Sequence, residues 1–203
     1  MALTTYTELQ AAIADWLNRT DITTQIADFT TLEEKKIYRS LRVRDMESAL
    51  SVTMSSGVAA LPTDFLELKH AYIDGSPVKT LERKSITDLY EKYPTRSSHG
   101  KPNFIASNVD NFEFAPFPDS DYTVKGTYWA RPTALSASNE TNFLITNYPD
   151  LILFGSLLQS ISFTGDTTRL SEWAAKYDNA LEEIKTEEKQ QRYGGSSLRS
   201  VSR

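Results

Sequence analysis

The 203-residue chain contains no cysteine, and that absence removes disulfides, thiolate zinc sites and cysteine nucleophiles together. Histidine is nearly absent as well: His70 and His99 are the only two. A His-rich metal site or a Ser-His-Asp triad would have to be built around one of them. Long apolar runs are missing, and none approaches the roughly 20 residues needed to span a bilayer. The opening MALTTYTELQ lacks the basic region and apolar stretch of a signal peptide. The expectation is a soluble protein made in the cytoplasm, with no membrane partner. The eight glycines are scattered and form no phosphate loop or dinucleotide fingerprint. No H-E-x-x-H, G-x-S-x-G or H-x-E pattern occurs. An excess of positive charge is lacking too, since the net charge is −5, which argues against wrapping nucleic acid over a basic face. A duplex as passing cargo is compatible with it, because a negative wall does not neutralise phosphates and so does not hold them.

What is present is material for a core. Hydrophobic residues make up 39% and charged residues 24%, a balance too apolar for disorder. The length fits one domain, or one domain with a sizeable insertion. Thr5 and Glu8 have capping-box spacing, and Leu9, Ile13, Trp16 and Leu17 then share one helical face. After a break at Asn18 to Asp21, Asp21 is placed to cap a second helix carrying Ile22, Ile26, Phe29, Ile37 and Leu41. Thr31 and Glu34 repeat the capping spacing and predict a kink or restart. From Met46 the periodicity shortens. MESALSVTM, VAALP and FLELKHAYI read as extended segments, with Gly57 and Asp74-Gly75 as turns. Ser85 to Tyr93 reads as a short helix. FIASN, NFEFAPF and YTVKGTYWARP complete the profile of a small antiparallel sheet or sandwich. Residues 132–147 form a polar connector.

Helix returns at Pro149, which suits a first helical position. LILFGSLLQSISF is apolar nearly all round, so this helix is buried in its own core or against neighbouring subunits, and Gly165 ends it. The last helix, Thr168 to Arg192, places Leu170, Trp173, Ala174, Tyr177, Leu181 and Ile184 on one stripe and would be ~37 Å long. Its apolar face fades after Ile184, and GGSSLRSVSR follows. The fold class expected is α+β: an antiparallel bundle of about four helices, interrupted by a small antiparallel β-rich insertion and ending in an extended C-terminal tail. The corresponding divisions are 1–45 (helical hairpin), 46–135 (β-rich insertion), 136–192 (C-terminal helices) and 193–203 (flexible tail).

Candidate chemistry is sparse. Glu33/Glu34, Glu182/Glu183 and Glu187/Glu188 sit among lysines in amphipathic helices and are expected to face water. Asp119 and Asp121 lack the further oxygen ligands of a calcium loop and read as a polar turn. His99 reads as a surface loop residue and His70 as a strand position facing solvent or a polar neighbour. Tyr122, Tyr128 and Trp129 could stack on bases, but without interleaved Lys or Arg they read as packing residues. No catalytic, cofactor-binding or metal-binding residue is assigned, no cofactor is expected, and the chain is not expected to be an enzyme. The C-terminus is either a frayed end or a segment that orders on a partner, with Leu198 and Val201 as anchors and the arginines pairing with carboxylates.

Two stretches carry a resemblance. LTTYTELQAAIADWLNRTDI with FTTLEEKKIYRSLRVRDME, and YPDLILFGSLLQSISFTGDTTRLSEWAAKYDNALEEIKTEE with its Gly/Ser/Arg ending, resemble the head-to-tail adaptor (connector) proteins of tailed bacteriophages, the short-tailed type especially. The resemblance covers most of the chain, although the β-rich middle matches in pattern more than in residues. It implies a structural virion protein of the neck: a dodecameric ring of self-associated subunits under the portal protein, extending the DNA channel and offering attachment to tail nozzle or fibre proteins. Carried to this chain, it implies portal docking by Arg192, Tyr193, Leu198, Arg199, Val201 and Arg203. The competing readings are a head-completion stopper or tail-tube connector, and a virion-associated peptidoglycan hydrolase.

Overall fold

The computed structural model describes residues 3–95, 97 and 99–193, with backbone alone at 192 and 193. Its contacts divide into two units, Met1–Asp45 with Pro132–Arg203, and Met46–Arg131. The helices are α1 (Tyr6–Leu17), α2 (Thr23–Ser40), α3 (Ile86–Lys92), α4 (Phe143–Asn147), α5 (Pro149–Thr164) and α6 (Leu170–Tyr193). The strands are β1 (Glu47–Met54), β2 (Val58–Ala60), β3 (Phe65–Ile73), β4 (Lys79–Arg83), β5 (Phe104–Asn108), β6 (Asn111–Ala115) and β7 (Tyr122–Ala130).

In the helical unit, α1 begins where the Thr5 hydroxyl accepts the Glu8 N–H and the Glu8 carboxylate accepts the Thr5 N–H. Two otherwise unpartnered first-turn amides are satisfied at once. The helix ends at Asn18, in the left-handed region at φ 51°, which Asn tolerates better than most residues. Helix α2 starts without a side-chain cap. Asp21, expected to cap it, pairs instead with Arg19 at 2.6 Å. The expected kink at Thr31 is absent: α2 runs through it unbroken, and the Thr31 hydroxyl donates to the Ala27 carbonyl one turn back. Helix α5 has Pro149 in its first turn and Gly165 in the left-handed region at its end. It packs against α1, α2, α4 and α6, burying Leu151, Ile152, Leu153 and Leu157. Much of its apolar surface therefore belongs to the core of its own unit, while Phe163 near its end is exposed. The segment read as a polar connector contains α4, started by Asn142, whose side-chain oxygen accepts the Leu144 and Ile145 N–H groups.

In the second unit, seven strands form one sheet in the order β1-β7-β3-β4-β5-β6-β2. All neighbours are antiparallel except β4 and β5, where Glu82 lies opposite Phe104 in a parallel pair. Parallel neighbours need a crossover, and α3 lies within it. Strands β1 and β2 stand at opposite ends of this order, yet Ser55 and Val58 exchange both backbone hydrogen bonds across a turn at Gly57. A sheet whose two ends are tied by so short a turn has to curl round on itself, and it is a nearly closed barrel. Inside lie Leu50, Met54, Leu68, Ile73, Ile105, Phe112, Phe114, Val124 and Tyr128.

The architecture corrects the expected fold. The β region is no small antiparallel insertion in a four-helix bundle but a seven-stranded mixed sheet, and six helices are present among the described residues. Strand β4 (KTLER) buries only Leu81, so its hydrophobic pattern is too weak to declare it. The parallel pair and the closure are long-range pairings that no local period encodes. The expected extended tail lies outside the described residues, save for the backbone of Tyr193.

Candidate functional site

Two adjacent carboxylates on α2 overturn their expected exposure. Ile26, Phe29, Thr30, Glu33, Glu34 and Ile37 recur every three to four residues and make up the inward face of that helix, and Glu33 and Glu34 are 0% and 1% exposed. The Glu34 carboxylate accepts the Leu135 N–H at 3.2 Å, the Asn142 side-chain amide at 2.8 Å and the Tyr38 hydroxyl at 3.1 Å. Burial pushes its carboxyl up, and these three donors pull it back down. Burial and the neighbouring Glu34 charge push the Tyr38 hydroxyl far up. Glu34 thus clamps the chain at 135 and the start of α4 to α2.

Glu33 points at α5. One of its oxygens accepts the Gln159 amide at 2.9 Å and lies 3.5 Å from Lys36 Nζ. Burial, then Glu33, pushes the Tyr177 hydroxyl of α6 up. A glycine faces this carboxylate: a Cβ at Gly155 would come within 2.6 Å of Glu33 Oε1. That oxygen, Ser156 Oγ and Trp173 Nε1 are buried without a hydrogen-bond partner among the described residues. Glu33 therefore joins α2, α5 and α6 through a tightly filled contact that tolerates no side chain at 155.

The second feature is the outer half of α6. Trp173, Tyr177, Ala180 and Ile184 are buried, whereas no side chain from Lys185 to Gln191 is. A groove of about 400 Å³ runs between residues 40–43 and Ile184, Lys185, Glu188 and Lys189. Beside it, Arg44, Asp45, Tyr148, Glu187, Glu188 and Gln191 line a polar recess. There the Arg44 N–H donates to Glu188 at 3.1 Å and the Asn147 amide to Asp45 at 2.7 Å. Burial, helped by Glu187, Asp45 and Glu188, pushes the Tyr148 hydroxyl up to about 12. A third surface carries Asn179, Glu182, Glu183, Thr186, Glu187 and Gln190.

The other residues singled out in the sequence are not brought together. His70 is exposed and stacks on Tyr72, and exposed His99 meets Phe117 edge-on. Asp119 accepts the Tyr122 hydroxyl at 2.7 Å. Tyr128 is buried and donates to Asp64 at 2.9 Å, while Trp129 is buried with Lys69 Nζ 5.3 Å from its ring centroid. Tyr128 and Trp129 pack, and Tyr122 is half-buried against the barrel interior. Glu182, Glu183 and Glu187 are exposed as expected. The docking residues Leu198, Arg199, Val201 and Arg203 lie outside the described residues, as do the side chains of Arg192 and Tyr193. Sequence reasoning missed Glu33 and Glu34, although their register with Ile26 and Ile37 was a usable signal. Among the described residues no group of three or more His, Asp or Glu could hold a metal ion, and no helix is long and apolar enough to cross a membrane.

Buried carboxylates thus tie the helices together, and charged grooves line the part of α6 that outruns its core. A family model for the SU10 adaptor protein matches residues 4–201, and the chain belongs to the SU10 adaptor protein family. It is a head-to-tail adaptor of a tailed bacteriophage, a structural component of the virion that associates with other head and tail proteins. A search of curated proteins found no match.

Proposed function

We propose that the chain forms a ring beneath the portal protein, extends the DNA channel and carries the attachment site for nozzle or fibre proteins of a short tail. The observation that carries this reading is the family match across almost the whole chain. Portal docking falls to residues 192–203, led by Arg192, Tyr193, Leu198, Arg199, Val201 and Arg203. Two features support it: α6 continues past its last buried residue, Ile184, and the ten residues after Tyr193 carry two arginines and no acid. A basic segment that orders on its partner links folding to assembly, so the joint forms in sequence. The net charge of −5 suits a channel that lets phosphates slide.

The test is attachment to the portal of the same phage. The full chain should co-sediment with portal rings, and a chain ending at residue 192 should fold normally and fail to do so. Unchanged attachment of the shortened chain would remove the tail from the reading. Electron microscopy of the particle separates an adaptor, in contact with the portal, from a stopper or tail-tube protein placed further down.

A further inference from the structure

The outer half of α6 keeps most of its opposite charges on opposite sides. One side carries Glu183 and Glu187, with Glu182 at its edge and the amides of Asn179 and Gln190 between them. The other carries Lys185 and Lys189, with Glu188 between them in sequence, at the lip of the groove, above Leu41, Val43 and Ile184. At 3.6 residues per turn, the centres of the two sides stand roughly 180–200° apart around the helix. Contacts within the subunit cancel only part of this separation. Lys185 pairs with Glu182 at 2.7 Å and Glu187 accepts the Gln191 amide at 3.0 Å. Glu183 has neither an ion pair nor a hydrogen bond among the described residues.

We propose that these two sides are the complementary halves of a contact between copies of this chain: the Glu183/Glu187 side of one copy docks on the Lys185/Lys189 lip and groove of the next. The inference rests on the ring reading above. In a ring each subunit has a neighbour on two opposite sides, and the contact joins two different patches. A helix with an acidic side and a basic side meets that requirement with a single element. The groove supplies the recess, with Leu41, Val43 and Ile184 on its floor and lysines at the lip to fix the register. Other occupants, such as a tail protein, would need only one of the two sides.

The test uses charge reversal in the full chain, read by sedimentation velocity with and without the portal. Lys185→Glu with Lys189→Glu makes both sides acidic; Glu183→Lys with Glu187→Lys makes both basic. Each pair alone should raise the concentration needed for ring formation by ~10-fold or more, as like charges meet across the contact. A 1:1 mixture of the two, and the four-residue exchange in one chain, should restore assembly, because acid again faces base. All five forms, the wild type and the mixture included, should keep the wild-type far-ultraviolet circular dichroism, since the altered side chains are exposed. Rings from the wild type and from both reversed pairs at the same concentration would overturn this contact and leave the ring reading standing. Loss of assembly without rescue by the exchange would also overturn it, assigning the surface to a different protein. A wild-type chain that never forms rings, even on the portal, would overturn the ring reading and this contact with it.

Discussion

The two units bury polarity very differently. Of the buried polar residues among the described ones, Thr30, Glu33, Glu34, Ser156 and Ser160 all belong to the helical unit, and Glu113 alone to the β unit. Helices satisfy their backbone internally and leave side chains to join one to another, so here directional carboxylate contacts tie α2 to α5, to α6 and to the segment before α4. The barrel joins its strands through the backbone ladder and fills its interior with apolar and aromatic side chains. Side-chain contacts can be relieved or rebuilt by a second substitution; ladder contacts cannot.

Two glycines give the sharpest break between these regimes. A Cβ at Gly126 would collide with the backbone carbonyl of His70 and lie 2.9 Å from Ala71 Cα, inside the β3–β7 pairing. Gly126→Ala should cost ~3 kcal/mol or more, because two backbones must separate. Adding His70→Ala should recover nothing. Hydrogen exchange read by mass spectrometry should show the loss across β1, β3 and β7, and normal protection in those strands would contradict the account.

Gly155→Ala is the counterpart in the helical unit, where the obstruction is the Glu33 side chain. The expected cost is about 2 kcal/mol. Here Glu33→Ala should relieve it, so that the double variant is less destabilised in urea than the sum of the singles by ~1 kcal/mol or more. Strict additivity would mean that the two side chains are not in contact.

Next comes Glu34. Its removal leaves the buried Leu135 N–H, the Asn142 amide and the Tyr38 hydroxyl without their acceptor, so Glu34→Ala should cost about 2 kcal/mol. The pH dependence has a definite sign. Folding raises this carboxyl above its ordinary value of 4.5, so the folded state binds the proton more tightly than the unfolded chain. The resulting contribution to stability is complete below the unfolded value and is lost as pH rises through the folded one. Glu34→Gln, which cannot titrate, should flatten that decline. An unchanged slope of urea stability against pH would show that Glu34 is not its source.

The same contrast explains what the sequence disclosed. The Thr5–Glu8 box, the Pro149 and Gly165 limits of α5 and the strand FIASN are decided within a few residues, and each is visible as a local pattern. Two of the three partners of Glu34, Leu135 and Asn142, lie 101 and 108 residues away; nearby, only Tyr38 and the register with Ile26 and Ile37 point inward among lysines. The polar strand β4, the parallel β4–β5 pair and the tie between β1 and β2 likewise follow from distant pairings. Family character was legible because whole stretches of α1, α2, α5 and α6 carry it. The surfaces of α6 were not, since a run of mixed charges has the pattern of a solvated helix face whichever way its signs are arranged around the helix.

The smallest expected effect tests whether the contrast extends to helix starts. Thr5 and Ser85 make the same bond, each side-chain oxygen accepting the N–H three residues on, at 3.2 and 3.1 Å. Helix α1 buries Tyr6, Leu9, Ala12 and Ile13, whereas α3 has Leu89 as its one buried residue among the described ones. A helix well anchored in its unit transmits the loss of a cap to global unfolding; a weakly anchored one opens locally first and limits what the loss can cost. Thr5→Ala should therefore lower global stability by about 1 kcal/mol, and Ser85→Ala by less, with faster amide exchange confined to residues 86–92. Equal shifts in the urea midpoint would mean that α3 is as firmly held as α1, and that the barrel secures its crossover by more than the burial of Leu89.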